Sequence, residues 1–142
     1  MYNILFVCTG NTCRSPMAEG IFNKIAEQRG LNARALSCGI SAYGARPASE
    51  HAVEAVKKYG ADISSHRSRQ VSDLLMGVAD AVFCMTRAHK KALKDAFPDY
   101  AGKISTLSQE DVADPFMGDE EMYDRTAAQI YEAIERLIER HP

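Results

Sequence analysis

The stretch that most constrains this chain is its start. Asn3 to Cys8 is a short, nearly continuous apolar run, and Thr-Gly-Asn turn chemistry follows it at once. Such a run suits a strand covered on both faces. Pro16 then stands where a first-turn proline is tolerated, and Met17, Ile21, Phe22 and Ile25 recur at helical spacing up to a stop at Gly30. Strand, loop and helix in that order point to a layered α/β arrangement with a loop at the carboxyl end of the first strand.

The rest of the pattern extends that unit. Alternation over residues 33–38 predicts a second strand, residues 39–47 hold too many turn formers to be regular, and residues 49–59 predict a helix stopped at Gly60. A polar link over 62–70 precedes a short helix at 71–76, a buried strand at 79–85 and a helix at 87–97 ended by Pro98. Residues 103–107 are the last strand candidate, and 108–118 read as an ordered loop. In the final helix Tyr123, Ala127, Ile130, Ile134, Leu137 and Ile138 form one apolar stripe. Asp119, Glu120 and Glu121 stand at its start, where the helix dipole favours acids; they read as a capped, solvated helix end before they read as substrate ligands. The expected fold is α/β, a four-stranded parallel sheet with helices on both faces and an anion-binding loop after the first strand, in one domain over residues 1–142.

Composition narrows the chemistry. Seventeen basic against nineteen acidic residues give a formal charge of -2, which removes any global argument for nucleic acid or an anionic membrane surface as partner. No apolar run approaches the roughly 20 residues of a spanning helix. The first residues lack a basic leader and a small-residue cleavage site, so the expected location is the cytoplasm and the four cysteines are expected to be reduced. Cys38 and Cys84 fall in strand-like runs, where a small buried thiol is the simpler reading.

The segment Cys8-Thr-Gly-Asn-Thr-Cys-Arg14-Ser15 carries the chemistry. The five residues between Cys8 and Arg14 can wrap a tetrahedral anion with inward backbone N–H groups, and Gly10 is expected to permit the curvature. Arg14 can close the ring with a planar fork on two oxygens, and the helix that follows aims its positive end at the same point. That field is expected to lower the Cys8 thiol and make it a nucleophile. The Ser15 hydroxyl can bond the sulfur. Asn11 reads as a brace for the loop, with Ser37 and His66 as polar partners; a lone histidine such as His66 is a hydrogen bonder before it is a catalyst. A leaving group needs a proton, and Asp114 in Asp114-Pro115-Phe116 is the candidate donor. No His/Cys/Asp cluster has metal-ligand spacing, and no cofactor is implied.

These motifs resemble the low-molecular-weight protein tyrosine phosphatases over essentially the whole chain. The resemblance rests on residues 7–19, on Leu36-Ser37 with Gly39, on residues 65–70 and on Asp114-Pro-Phe116. It implies Cys8 as nucleophile, Arg14 as clamp and Asp114 as general acid, with Thr9, Gly10, Asn11, Thr12, Cys13 and Ser15 in the loop and Ser37 and His66 in support. Its substrate would be a phosphorylated protein. Many tyrosine-specific members carry leucine and isoleucine where this chain has Thr9 and Thr12, and threonine at Thr12 looks like the bacterial protein arginine phosphatases. Tyr43 falls where tyrosine-specific members place an aromatic wall, so Thr12, Tyr43 and Phe116 define the expected pocket and phosphotyrosine stands as the alternative substrate. Cys13 could trap an oxidised Cys8 as a disulfide or be a buried spectator. A thioredoxin-coupled arsenate reductase would need a relay of further cysteines, and none follows Cys84. A non-catalytic oxyanion-binding module would not need Asp114.

Overall fold

The computed structural model describes residues 1–140. Four strands, β1 (Tyr2–Cys8), β2 (Ala33–Gly39), β3 (Ala81–Cys84) and β4 (Ile104–Thr106), form one all-parallel sheet in the order β2-β1-β3-β4. Five α-helices connect and follow them: α1 (Arg14–Arg29), α2 (Glu50–Lys57), α3 (Asp73–Val78), α4 (Arg87–Ala96) and α5 (Glu120–Arg140). The expected parallel sheet with helices on both faces is therefore observed.

Alternating residues of the strands feed two cores. Ile4, Phe6 and Ala35 pack with Met17, Ile21 and Phe22 of α1, Val56 of α2 and Ile130 and Ile134 of α5. Leu5, Val7, Cys38, Val82 and Cys84 face the other way, onto Met76 of α3 and Leu93 of α4. β1 is buried from both sides, as its unbroken apolar run requires. Each fully buried aliphatic chain contributes about 1.5–3 kcal/mol of transfer free energy, so β1 is anchored more firmly than either edge strand.

Several boundaries differ from expectation, three of them by more than a trimmed end. The short helix begins at Asp73 rather than residue 71, because the Ser72 hydroxyl accepts from Leu75 N and caps it there. The third strand shrinks to Ala81–Cys84, the residues that find partners on β1. Pro98 opens a 3₁₀ turn, Pro98–Lys103, where the sequence indicated only a helix end. At the start of α5 the Asp119 carboxylate accepts from Met122 N, which fits the capped reading of that acidic cluster.

The topology selects the rim where a ligand belongs. From β1 the chain crosses to β2 on one side, and later to β3 on the other, so the carboxyl end of β1 is a topological switch point. Cys8 is the last residue of β1 and pairs with Gly39, the last of β2.

Candidate active site

The loop from Cys8 to Ser15 curls over that rim. A Cβ on Gly39 would stand 2.5 Å from the Thr9 carbonyl oxygen and 3.1 Å from Asn11 N, so the end of β2 must be glycine for the loop to lie where it does. The tight bend falls elsewhere than expected. A Cβ on Gly10 would meet only Thr12 Oγ1, at an ordinary 3.8 Å, and it is Asn11 that adopts the left-handed conformation, at φ 57°. Asparagine tolerates that region better than other side chains, and here its amide is held by specific bonds.

Those bonds form a buried chain. Asn11 Nδ2 donates to Ser15 Oγ at 2.8 Å and to Ser37 Oγ at 2.9 Å, and its Oδ1 accepts from Arg69 N at 2.9 Å. The Ser37 hydroxyl in turn donates a hydrogen bond to Glu19 Oε1 at 2.7 Å. His66 Nε2 meets the Asn11 carbonyl oxygen at 2.8 Å, which makes it a hydrogen bonder to the loop. Because Ser15 Oγ already accepts from Asn11, its proton is free for the Cys8 sulfur, 2.8 Å away, in preference to the Cys38 carbonyl oxygen at 3.4 Å. The network thus ends in a donor aimed at the thiol.

The electrostatics of Cys8 differ from the sequence expectation. Burial pushes the thiol up from its ordinary value; the Ser15 hydroxyl and backbone N–H, the Arg14 guanidinium and the Asn11 backbone N–H pull it down. The sequence displays the second set of influences and hides the first, which is the larger. The positive end of α1 acts with the donors.

Arg14 is the first residue of α1 and only 5% exposed. Its Nη1 donates to the Val112 carbonyl oxygen at 2.9 Å, while Nη2 lies 3.5 Å from both Thr9 Oγ1 and Asp114 Oδ2. The guanidinium is therefore anchored from behind and faces the loop with its other edge. Asp114 Oδ1 accepts from Phe116 N at 3.0 Å, which turns the carboxylate toward the same space. Together Cys8 to Arg14, Ser41, Tyr43, Arg46, Asp114 and Phe116 line one cleft of about 250 Å³. Tyr43 and Phe116 are 77% and 64% exposed and stand as its rim.

Ser37 and His66 are buried and bond the loop at Asn11, and neither lines the cleft. Cys13 Sγ is 3.2 Å from Tyr123 OH, whose proton is held up to about 12 by burial and by that contact. Cys38 and Cys84 are fully buried, with burial raising both thiols, that of Cys84 to about 12. Sequence reasoning gave no role to Glu19, Arg46, His89 or the Val112 carbonyl. Glu19 stood within a motif already singled out; Arg46 lines the cleft, while His89 bonds Thr9 and the Val112 carbonyl bonds Arg14, each from a separate connection that leaves no local signal. Among the described residues no group of three or more His, Cys, Asp or Glu side chains could hold a metal ion, and no helix is long and apolar enough to cross a membrane.

A thiol at the end of a parallel strand, under an anion-binding loop closed by arginine and a helix start, with a carboxyl at the mouth, defines a cysteine-dependent phosphatase. The model of the low molecular weight phosphotyrosine protein phosphatases matches residues 3–141, and the chain belongs to that family. A protein-arginine-phosphatase of Bacillus subtilis (strain 168) is 40% identical over 97% of this chain and 95% of its own length. Among solved structures, a low molecular weight protein tyrosine phosphatase from T. tengcongensis is 43% identical with a TM-score of 0.95, covering 99% of both chains. A mutant of the YwlE arginine phosphatase, solved with a phosphorylated active site serine, is 40% identical with a TM-score of 0.92 over 97% of this chain and 94% of that one.

Proposed function

We propose that this chain, acting as one domain, hydrolyses phosphorylated side chains of proteins through a phosphocysteine on Cys8, with phosphoarginine ahead of phosphotyrosine. The observation that carries the reading is the convergence of thiol, guanidinium and carboxyl on one cleft, with Arg14 Nη2 3.5 Å from Asp114 and Cys8 lining the same wall. Cys8 attacks phosphorus as the thiolate, a form that the Ser15 hydroxyl and the Arg14 guanidinium favour and that burial opposes. The S–P bond forms as the P–N or P–O bond breaks, and Asp114 gives its proton to the departing nitrogen or oxygen. Loop N–H groups of Thr9 to Ser15 and the Arg14 fork carry the charge of the three equatorial oxygens. Water then attacks phosphorus, Asp114 takes up its proton, and the sulfur leaves with the Ser15 hydrogen bond to steady it.

Pocket chemistry supports the guanidinium. Thr12 puts a hydroxyl on the cleft wall, Asp114 adds a carboxylate, and the exposed rings of Tyr43 and Phe116 can stack on a planar cation. The 40% identical arginine phosphatase points the same way, while the same two rings suit a phenol and keep phosphotyrosine as the alternative. A reductase relay finds no support, since Cys38 and Cys84 lie in the core on the far side of the sheet. Turnover of p-nitrophenyl phosphate without thioredoxin is the expected result; arsenate-dependent thiol oxidation in its place would establish the reductase.

Thr12 should decide the substrate. Thr12→Ile keeps β-branching and similar bulk but loses the hydroxyl, so kcat/KM on phosphoarginine peptides is expected to fall at least about tenfold, the effect of roughly 1.4 kcal/mol at the transition state. Activity on phosphotyrosine peptides should hold or rise. An unmoved ratio of the two would hand the selection to Tyr43 and favour phosphotyrosine.

Cys13 supplies a separate expectation. Peroxide oxidises the Cys8 thiolate to a sulfenic acid, and attack by the Cys13 thiol expels water and closes a disulfide that thiols can reopen. Mass spectrometry after mild peroxide should find Cys8 joined to Cys13. Recovery of Cys8 only as its sulfinic and sulfonic acids would leave Cys13 a spectator bonded to Tyr123.

A further inference from the structure

We propose that His89 is a positioning residue and that the Thr9 side chain is a donor to the bound phosphoryl group: the imidazole Nε2–H holds the Thr9 hydroxyl so that its proton points into the cleft. The inference rests on the phosphatase reading for its chemistry, but its central measurement is of binding and needs no turnover.

His89 is 8% exposed and sits in the first turn of α4, where its backbone N–H donates to the capping Thr86 hydroxyl at 3.0 Å. α4 follows β3, whose last residues pair with the end of β1, with Val7 opposite Cys84 and Met85 N on the Val7 carbonyl oxygen at 3.0 Å. That register sets the imidazole beside the first residue of the loop, and Nε2 lies 2.8 Å from Thr9 Oγ1.

The direction of this bond follows from the other ring nitrogen. His89 Nδ1 is buried and has no hydrogen-bond partner. An N–H orphaned there would cost more than an orphaned lone pair, so the proton belongs on Nε2, and Nε2 donates to Thr9. Burial, followed by the Arg14 charge, pushes His89 down to about 4 against the pull of Asp111 and Asp114, so near neutral pH the ring carries one N–H and no charge.

Thr9 Oγ1 then accepts from His89 and, at 3.5 Å, from Arg14 Nη2. Both acceptor sites are occupied by the protein. The hydroxyl proton has no acceptor among the described residues, and Thr9 lines the cleft between Cys8 and Arg14. What remains is a donor aimed where a phosphoryl oxygen would lie, added to the backbone N–H groups and tied to the same guanidinium. A structural histidine would account for the burial and for the contact with Thr86, but not for a single polar bond made to a residue of the loop.

The test compares Thr9→Val, Thr9→Ser, His89→Leu, His89→Gln and the double variant Thr9→Val/His89→Leu. Calorimetry with inorganic phosphate gives Kd, and p-nitrophenyl phosphate gives kcat/KM. Thr9→Val and His89→Leu should each weaken phosphate binding and lower kcat/KM by about tenfold, as loss of one donor to a charged group implies. The double variant should be no more than about twofold worse than Thr9→Val, because both changes remove the same donor. Thr9→Ser restores the hydroxyl and His89→Gln an N–H at the Nε2 position, and both should return to within about threefold of the parent. Unchanged phosphate affinity in Thr9→Val, additive losses in the double variant, or His89→Gln as poor as His89→Leu would each overturn the proposal. Should His89→Leu fail to fold, the two Thr9 variants and His89→Gln decide alone. A parent protein that binds phosphate but hydrolyses nothing would remove the phosphatase reading, while the calorimetric arm would still settle the role of Thr9 and His89.

Discussion

Cys8→Ser should abolish turnover, by at least about 10⁴-fold in kcat, while inorganic phosphate still binds. The serine oxygen is a weak nucleophile at neutral pH because its proton is held far more tightly than that of a thiol. Everything that recognises the anion stays: Arg14 keeps its bond to the Val112 carbonyl oxygen at 2.9 Å, and Asn11 keeps the loop in its left-handed bend. The replacement is smaller than the thiol it succeeds, and Cys8 is 2% exposed, so the cost in stability is that of a small buried void and a better-solvated hydroxyl. Stopped assays and calorimetry on the same preparation separate the two effects. A variant with parental activity would end the nucleophile assignment. Loss of phosphate binding in a folded variant would mean that the sulfur itself shapes the loop.

Asp114→Asn should lower kcat by about 10²–10³-fold for leaving groups that must be protonated and much less for p-nitrophenol, which departs without a proton. The side chain is half exposed, and asparagine can still accept from Phe116 N, so the turn that presents it should survive. What changes is the supply of a proton and the charge beside Arg14 Nη2. A series of aryl phosphates of graded leaving ability reads out the first, since the deficit of the variant should grow as the phenol becomes more basic. A deficit equal across the series would assign Asp114 to holding Arg14 rather than to proton transfer.

Much of this was legible in the order of residues, for reasons that differ by element. β1 and α1 announce themselves because burial on both faces forces an apolar run and a helix on a sheet forces a stripe. α5 does so through seven buried positions at helical spacing. The Cys8 to Ser15 loop is local, so its donors, its arginine and its helix start are all adjacent in sequence. Asp114 is distant, and an acid before proline is by itself only turn chemistry; it stands out because the upstream loop calls for a proton donor. What stayed hidden is whatever depends on register between elements. His89 reaches Thr9 across 80 residues, and Arg14 reaches Val112 across 98, and nothing at either end marks the meeting. The bend expected at Gly10 falls instead at Asn11, whose amide bonds Ser15, Ser37 and Arg69 together across three separate segments. The burial cost on the Cys8 thiol is likewise a property of the closed core, not of its neighbours in sequence.

The division between the brace and the rim has a consequence for how such a protein can diversify. Asn11, Ser15 and Ser37 are fully buried, and each change there leaves partners unsatisfied in the core, a penalty of about 1–3 kcal/mol per group from a total stability of about 5–15 kcal/mol. Tyr43 and Phe116 project into solvent from irregular segments, where substitutions are nearly free of folding cost. On the proposed reading, changes should therefore be tolerated at the rim that would meet the organic part of the substrate and resisted at the buried brace that holds the phosphate loop. If those rings do meet the substrate, a lineage built on this scaffold would exchange one phosphorylated amino acid for another through few changes while its reaction chemistry stayed fixed.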